Sequence, residues 1–116
     1  MSRLLRSFYY AFRGLRFAIK EQPNFQIHVV VAIIVVGAGF HFVIKEAEWI
    51  AVLLSIGLVL SAELINSAIE NLVDMVSPTR HPLAGKIKDM AAGAVLVAGL
   101  VAGTIGVIVF GRYVFP

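Results

Sequence analysis

From Ile50 to Ala62 the chain carries no charged side chain, and the run continues without a break into Glu63-Leu64-Ile65-Asn66-Ser67-Ala68-Ile69-Glu70-Asn71-Leu72-Val73-Asp74. Two further apolar stretches flank it: Val29 to Phe40 upstream, and a run rich in small residues from Ala91 to Phe110 downstream. Runs of this length read as membrane spans, and in lipid every backbone N–H and C=O must find its partner internally, which a helix achieves within one segment. The whole chain agrees. Of its 116 residues 59% are hydrophobic and only 15% charged, with mean hydropathy +0.90, more apolar surface than a soluble domain of this size can hide. The fold class expected is an all-α membrane protein: an amphipathic surface helix followed by three spanning helices, as a single domain over 1–116.

Residues 3–20 form the surface helix in this reading. Leu5, Phe8, Tyr9, Phe12, Leu15 and Ile19 recur at three and four residues on one face, while Arg3, Arg6, Tyr10 and Arg13 share the other. A basic, aromatic-rich helix of this kind lies in the headgroup layer with its arginines near lipid phosphates. Glu21-Gln22-Pro23-Asn24 ends it, because Pro23 has no amide hydrogen to donate, and Asn24 is the expected cap of the next helix. The spans are expected at 25–44, 47–76 and 83–114. His28 and His41 read as interfacial residues near the ends of the first span, and Trp49 as a member of an aromatic belt. Ser77-Pro78-Thr79-Arg80-His81-Pro82 forms a proline-bounded loop. Gly99 and Gly103 form a small-xxx-small pair that permits close helix contact. No cleavable secretory signal is expected, since charges interrupt the apolar residues of the arginine-rich N-terminus. With no cysteine, disulfides and thiolate chemistry are excluded.

Basic residues fix the orientation. Arg3, Arg6, Arg13, Arg16 and Lys20 precede the first span, and Arg80, Lys86 and Lys88 lie between the second and third; only Lys45 and Arg112 fall on the opposite side. The positive-inside rule places the N-terminus and the 77–82 loop in the cytoplasm.

On a helix, Glu63, Asn66, Ser67, Glu70 and Asp74 gather into one stripe, whereas Leu64, Ile65, Ile69, Leu72 and Val73 fall outside it. A carboxylate at membrane depth is tolerated where it faces protein or a water-filled cavity, so the stripe marks a functional surface. Glu70 and Asp74, near the cytosolic boundary, offer hard oxygen ligands of the kind magnesium accepts together with phosphate oxygens. Nearby arginines and lysines can hold a polyphosphate. Glu63 lies about two turns deeper and suits proton abstraction from a lipid hydroxyl. Phosphoryl transfer needs mainly positioning and charge neutralisation, which this layout supplies. An ion or proton pathway, or polar glue in an assembly, is the competing reading. No phosphate-binding loop is present: around Gly85-Lys86, Arg80 stands where the earlier glycine belongs and Ile87 where Ser or Thr belongs.

Glu63-Leu64-Ile65-Asn66-Ser67-Ala68-Ile69-Glu70, then Asp74, His81 and Lys88-Asp89-Met90-Ala91-Ala92-Gly93-Ala94-Val95, resemble the signature of the prokaryotic diacylglycerol kinase and undecaprenol kinase family. Arg3, Tyr10, Gly14-Leu15-Arg16 and Asn24-Phe25 are also in register, so the resemblance covers nearly the whole chain. It implies a homotrimer in a bacterial inner membrane, with active sites shared between subunits and MgATP as phosphoryl donor. The acceptor would be a membrane lipid alcohol, undecaprenol or diacylglycerol, and no nucleic acid is implied. By resemblance Glu63 is the general base, with Asn66 beside it in the catalytic stripe, and Glu70 is a magnesium ligand. Arg3, Tyr10, Glu21, Glu70, Thr79, Arg80, His81, Lys88 and Asp89 take ATP-contacting positions, and Arg16 lies toward the lipid with Glu63. One departure concerns the second metal carboxylate, which the family places three residues before the phenylalanine matched by Phe25. Gln22 stands there, and the adjacent Glu21 is expected to serve instead. His81-Pro82-Leu83 and Ala91 to Val95 look more like the undecaprenol kinase branch.

Overall fold

Four helices in chain order account for nearly all of the computed structural model, which describes residues 2–116: α1 (Arg3–Glu21), α2 (Pro23–Phe42), α3 (Glu46–Val76) and α4 (Pro82–Val114). The last three are long and apolar enough to cross a bilayer, and among the described residues there is no strand. α3 and α4 pack as the principal hairpin, α2 lies against α3, and α1 packs on α2.

Local chemistry explains each boundary. Ser2 opens α1, its Oγ accepting the Leu5 N–H at 3.2 Å. α1 and α2 meet at a single non-helical residue, Gln22, with Pro23 as the first residue of α2. Asn24 is therefore inside the helix and not its cap: proline is preorganised for the first helical position, where its missing N–H is no loss. The Gln26 side chain reaches back to donate to the Ile19 carbonyl at 2.7 Å, so one of α1's terminal carbonyls gains a partner. α2 ends at Val43, in the left-handed conformation (φ 51°, ψ 56°), while the Ile44 N–H returns to the Gly39 carbonyl at 3.1 Å. α4 opens on His81, whose Nδ1 accepts the Leu83 N–H at 3.1 Å, with Pro82 again at the first position.

The apolar core sits at the end where α2 turns into α3 and α4 finishes. Ile44, Val52 and Val109 are buried there, surrounded by Val35, Phe42, Trp49, Ile56, Ile105, Phe110 and Tyr113. Trp49 is thus a packing residue rather than a free belt residue: its ring lies 4.9 Å from Phe40 and directly over Gly39. The Gly99–Gly103 pair makes no close helix contact within the chain; nothing lies within 4 Å of where a Cβ would stand at either position. Both glycines instead line an open cleft between α2, α3 and α4.

A polar clasp closes the same end. Glu48 is buried; the Lys45 N–H and the Tyr113 hydroxyl both donate to its Oε1, and the Arg112 guanidinium stands 3.4 Å from Oε2. It ties the start of α3 to the end of α4. Much of the surface elsewhere is apolar. The α1 face carrying Leu5, Phe8, Tyr9 and Phe12 is exposed, as are Ile33, Ile34, Leu54 and Val107 on the spans, as expected of helices whose solvent is lipid.

Candidate active site

α3 is the most buried of the three spans; besides Glu48 and Ser55 nearer its start, its buried polar residues are Glu63, Asn66 and Ser67 of the stripe. Glu63, Asn66 and Ser67 are 3%, 5% and 6% exposed, Glu70 is half-buried, and Asp74 is exposed. Seven residues separate Glu63 from Glu70, about 10 Å along the axis. One helix thus carries a dry carboxylate and a wetter one on the same side.

Two side chains meet Glu63. The Ser67 hydroxyl, one turn on, donates to Oε1 at 3.4 Å, and Nε2 of His28 on α2 stands 3.7 Å from Oε2. His28 is therefore not a bland interfacial residue. It is held against the deepest carboxylate because Pro23 starts α2 where His28 falls level with Glu63. Asn66 faces a second cleft of about 330 Å³, walled by Ala91, Ala94 and Ala98 of α4. Its Oδ1 is buried without a hydrogen-bond partner. An orphaned acceptor of this kind marks a position reserved for a ligand or water.

At the outer end of the stripe, Asp74 pairs with Lys88, which joins the end of α3 to the start of α4 across the 77–81 loop. Lys88 also lies within electrostatic range of Glu70. Asp89, Thr79, Arg80 and His81 are exposed around this junction; His81 caps α4 through Nδ1, leaving Nε2 directed elsewhere. The residues on α1 are not gathered here by a single chain. Arg3, Tyr10, Arg16 and Glu21 are exposed on a helix whose packing is against α2. Among the described residues no three His, Asp or Glu side chains converge on one point as a metal cage would require. Magnesium does not need such a cage: one or two carboxylates with phosphate oxygens suffice, and the half-buried Glu70 fits that demand.

Sequence reasoning missed the contacts of two residues near this site and of one at the far end of the bundle. His28 carried no local signal, since its partner lies on another helix. Gln26, which fixes the corner between α1 and α2, and Glu48, which anchors α3 to α4 through Tyr113, were equally invisible to periodicity.

A family profile described as Prokaryotic diacylglycerol kinase matches residues 9–110. The undecaprenol kinase of Bacillus subtilis (strain 168) is 39% identical over 110 residues, covering 95% of this chain and 89% of that protein. A diacylglycerol kinase of Synechocystis sp. is 44% identical over 107 residues, 89% of this chain but 59% of that protein. The diacylglycerol kinase of Escherichia coli (strain K12) is 32% identical over 101 residues, 87% of this chain and 83% of that protein. With a matched profile over most of its length and relatives above 30% identity, the chain belongs to the prokaryotic diacylglycerol kinase family and is a multi-pass membrane lipid kinase.

Proposed function

We propose that this protein transfers the γ-phosphate of MgATP to the primary hydroxyl of undecaprenol. The observation that carries the reading is the graded burial of α3's carboxylates, with Glu63 dry and paired and Glu70 half-buried two turns toward the loop. Glu63 is the general base. It takes the proton of the lipid hydroxyl as that oxygen bonds to the γ-phosphorus and the bond from phosphorus to the ADP oxygen breaks. Burial excludes water from this step and disfavours simple hydrolysis of ATP. Asn66, with its free Oδ1, orients the reacting hydroxyl.

Glu70 and Glu21 hold magnesium, which neutralises charge on the phosphates when bound. Arg3, Tyr10, Thr79, Arg80, His81, Lys88 and Asp89 hold the nucleotide, and Arg16 faces the lipid. Because α1 packs away from the stripe in one chain, Glu21, Arg3 and Tyr10 meet Glu70 across a subunit boundary. The assembly is a homotrimer of single-domain chains in the bacterial inner membrane, with the N-terminus and 77–82 loop cytoplasmic. That side carries most of the basic residues.

Undecaprenol is preferred because the residues around His81-Pro82-Leu83 and Ala91 to Val95 resemble that branch. Diacylglycerol is the second reading, favoured by the diacylglycerol kinases among the relatives. Purified protein in mixed micelles, with radiolabelled ATP and each lipid in turn, decides between them. Label is expected in undecaprenyl phosphate, dependent on magnesium, and lost in Glu63→Gln with the oligomer intact. Label confined to phosphatidic acid would transfer the reading to diacylglycerol. Near-normal turnover of Glu63→Gln would remove Glu63 as the base.

A further inference from the structure

We infer that His28 is a positioning residue for the base: its imidazole holds the Glu63 carboxylate in the orientation that receives the lipid proton. The inference rests on the kinase reading above and adds a residue to it.

Glu63 is 3% exposed. An isolated carboxylate so placed carries a large desolvation cost. Among the described residues, the recorded polar contacts to it are the Ser67 hydroxyl on Oε1 and His28 Nε2 near Oε2. Each carboxylate oxygen thus faces one neighbour, and the pair of contacts fixes the plane of the group. The His28–Glu63 separation of 3.7 Å is longer than a hydrogen bond, and catalytic contacts of this length tighten when substrate closes a site.

The type of partner matters as much as its position. A lysine or arginine would set a permanent positive charge beside Glu63 and make the carboxylate reluctant to accept a proton. An imidazole can supply an N–H donor without a fixed charge. His28 is also placed to meet the acceptor. It lies on the wall of the cleft of about 410 Å³ that runs between the spans past Val31, Ser55 and Gly103 to Phe110. A lipid chain in that cleft would bring its head to His28 and Glu63.

The experiment uses the full-length protein in mixed micelles with wild type, His28→Ala, His28→Gln and His28→Lys, alongside Glu63→Gln. His28→Ala is expected to lower kcat roughly 10- to 100-fold, the scale of a misplaced catalytic group, with the KM for ATP unchanged. His28→Gln, whose amide retains an N–H donor, is expected to recover most of that loss. His28→Lys supplies a permanently charged partner for the buried carboxylate and so supports the fold, yet is expected to remain slow. A role confined to stability predicts the reverse for lysine, and full activity of His28→Lys would overturn the inference. So would a normal kcat in His28→Ala, or no recovery by glutamine in a variant whose oligomer is intact by size-exclusion chromatography. An inactive wild type would instead condemn the kinase reading, which keeps the two failures distinct.

Discussion

Gly39→Ala tests how α2 is held against α3. An ideal Cβ at Gly39 would stand 2.6 Å and 2.8 Å from two carbons of the Trp49 indole and 3.1 Å from a third. Ordinary carbon contacts begin near 3.5 Å, so the ring or the helix must move by almost 1 Å. The indole is not a flexible chain end. It is fixed by two torsions, rests on Phe40 at 4.9 Å and belongs to the core around Val52 and Val109. Overpacking of this kind costs about 1–3 kcal/mol. Against it stands the gain of about 1 kcal/mol from replacing glycine by alanine inside a helix. With the clash on a fixed ring the loss wins, and the net expectation is destabilisation of up to about 2 kcal/mol by these two principles. Denaturant unfolding in detergent micelles reads it. Gly37→Ala is the control, because it lies on the same helix with nothing within 4 Å of its Cβ position. That variant is expected to be no less stable than wild type. The consequence reaches the site, since His28 lies eleven residues along the helix, about 16 Å away. Tilting α2 at Gly39 draws His28 from Glu63 and slows turnover beyond what unfolding explains. Restoring space with Trp49→Phe is expected to recover stability in the double variant. Equal stabilities for Gly39→Ala and Gly37→Ala would refute the reasoning.

Val43→Gly should stabilise the protein by about 1 kcal/mol in the same unfolding assay, because a β-branched residue holds a left-handed conformation there. Tyr113→Phe and Glu48→Gln should both lower the melting temperature while leaving kcat near wild type, since that clasp lies at the end of the bundle away from Glu63. Glu21→Gln should raise the magnesium concentration needed for half-maximal rate, whereas Gln22→Glu should leave it unchanged. Gln22 is half-buried at the corner between α1 and α2, while Glu21 is exposed; a magnesium titration of the kinase rate separates the two.

The fold was legible because its signals are local. Apolar runs of spanning length, Pro23, Pro82 and the polar 77–82 segment placed all four helices to within two residues of 3–20, 25–44, 47–76 and 83–114. Small errors at the joint have one cause: Asn24 is the better capping side chain, but Pro23 is the better first residue, and proline prevails. The stripe was legible for the same reason, since a 3.6-residue period places Glu63, Asn66, Ser67 and Glu70 together whatever surrounds the helix. What the sequence withheld lies between helices. His28 to Glu63 spans two helices, and Tyr113 to Glu48 joins residues 65 apart in the chain. No pattern within one helix reports the rotation of its neighbour. Gly39 was likewise indistinguishable from Gly99 or Gly103 by composition; only the placement of Trp49 makes it the close contact.

In the proposed mechanism, the length of α3 is what lets one residue type do two kinds of chemistry. At 31 residues it exceeds the roughly 20 needed for a crossing, so its C-terminal turns leave the hydrocarbon while its middle does not. Glu63 is 3% exposed, enclosed with Ser67 and His28 against its carboxylate. Glu70 is half-buried, and Asp74, with its side chain 61% exposed, meets water and Lys88. In the proposed mechanism the same carboxyl group serves as a base at one depth and a cation ligand at another, set by about 10 Å of helix. A shorter α3 would place all three acids in one dielectric and lose the distinction. On that reading a lipid alcohol would approach from the cleft beside His28 and a nucleotide over the 77–81 loop, to meet on one face of one helix, each at the depth its solubility dictates.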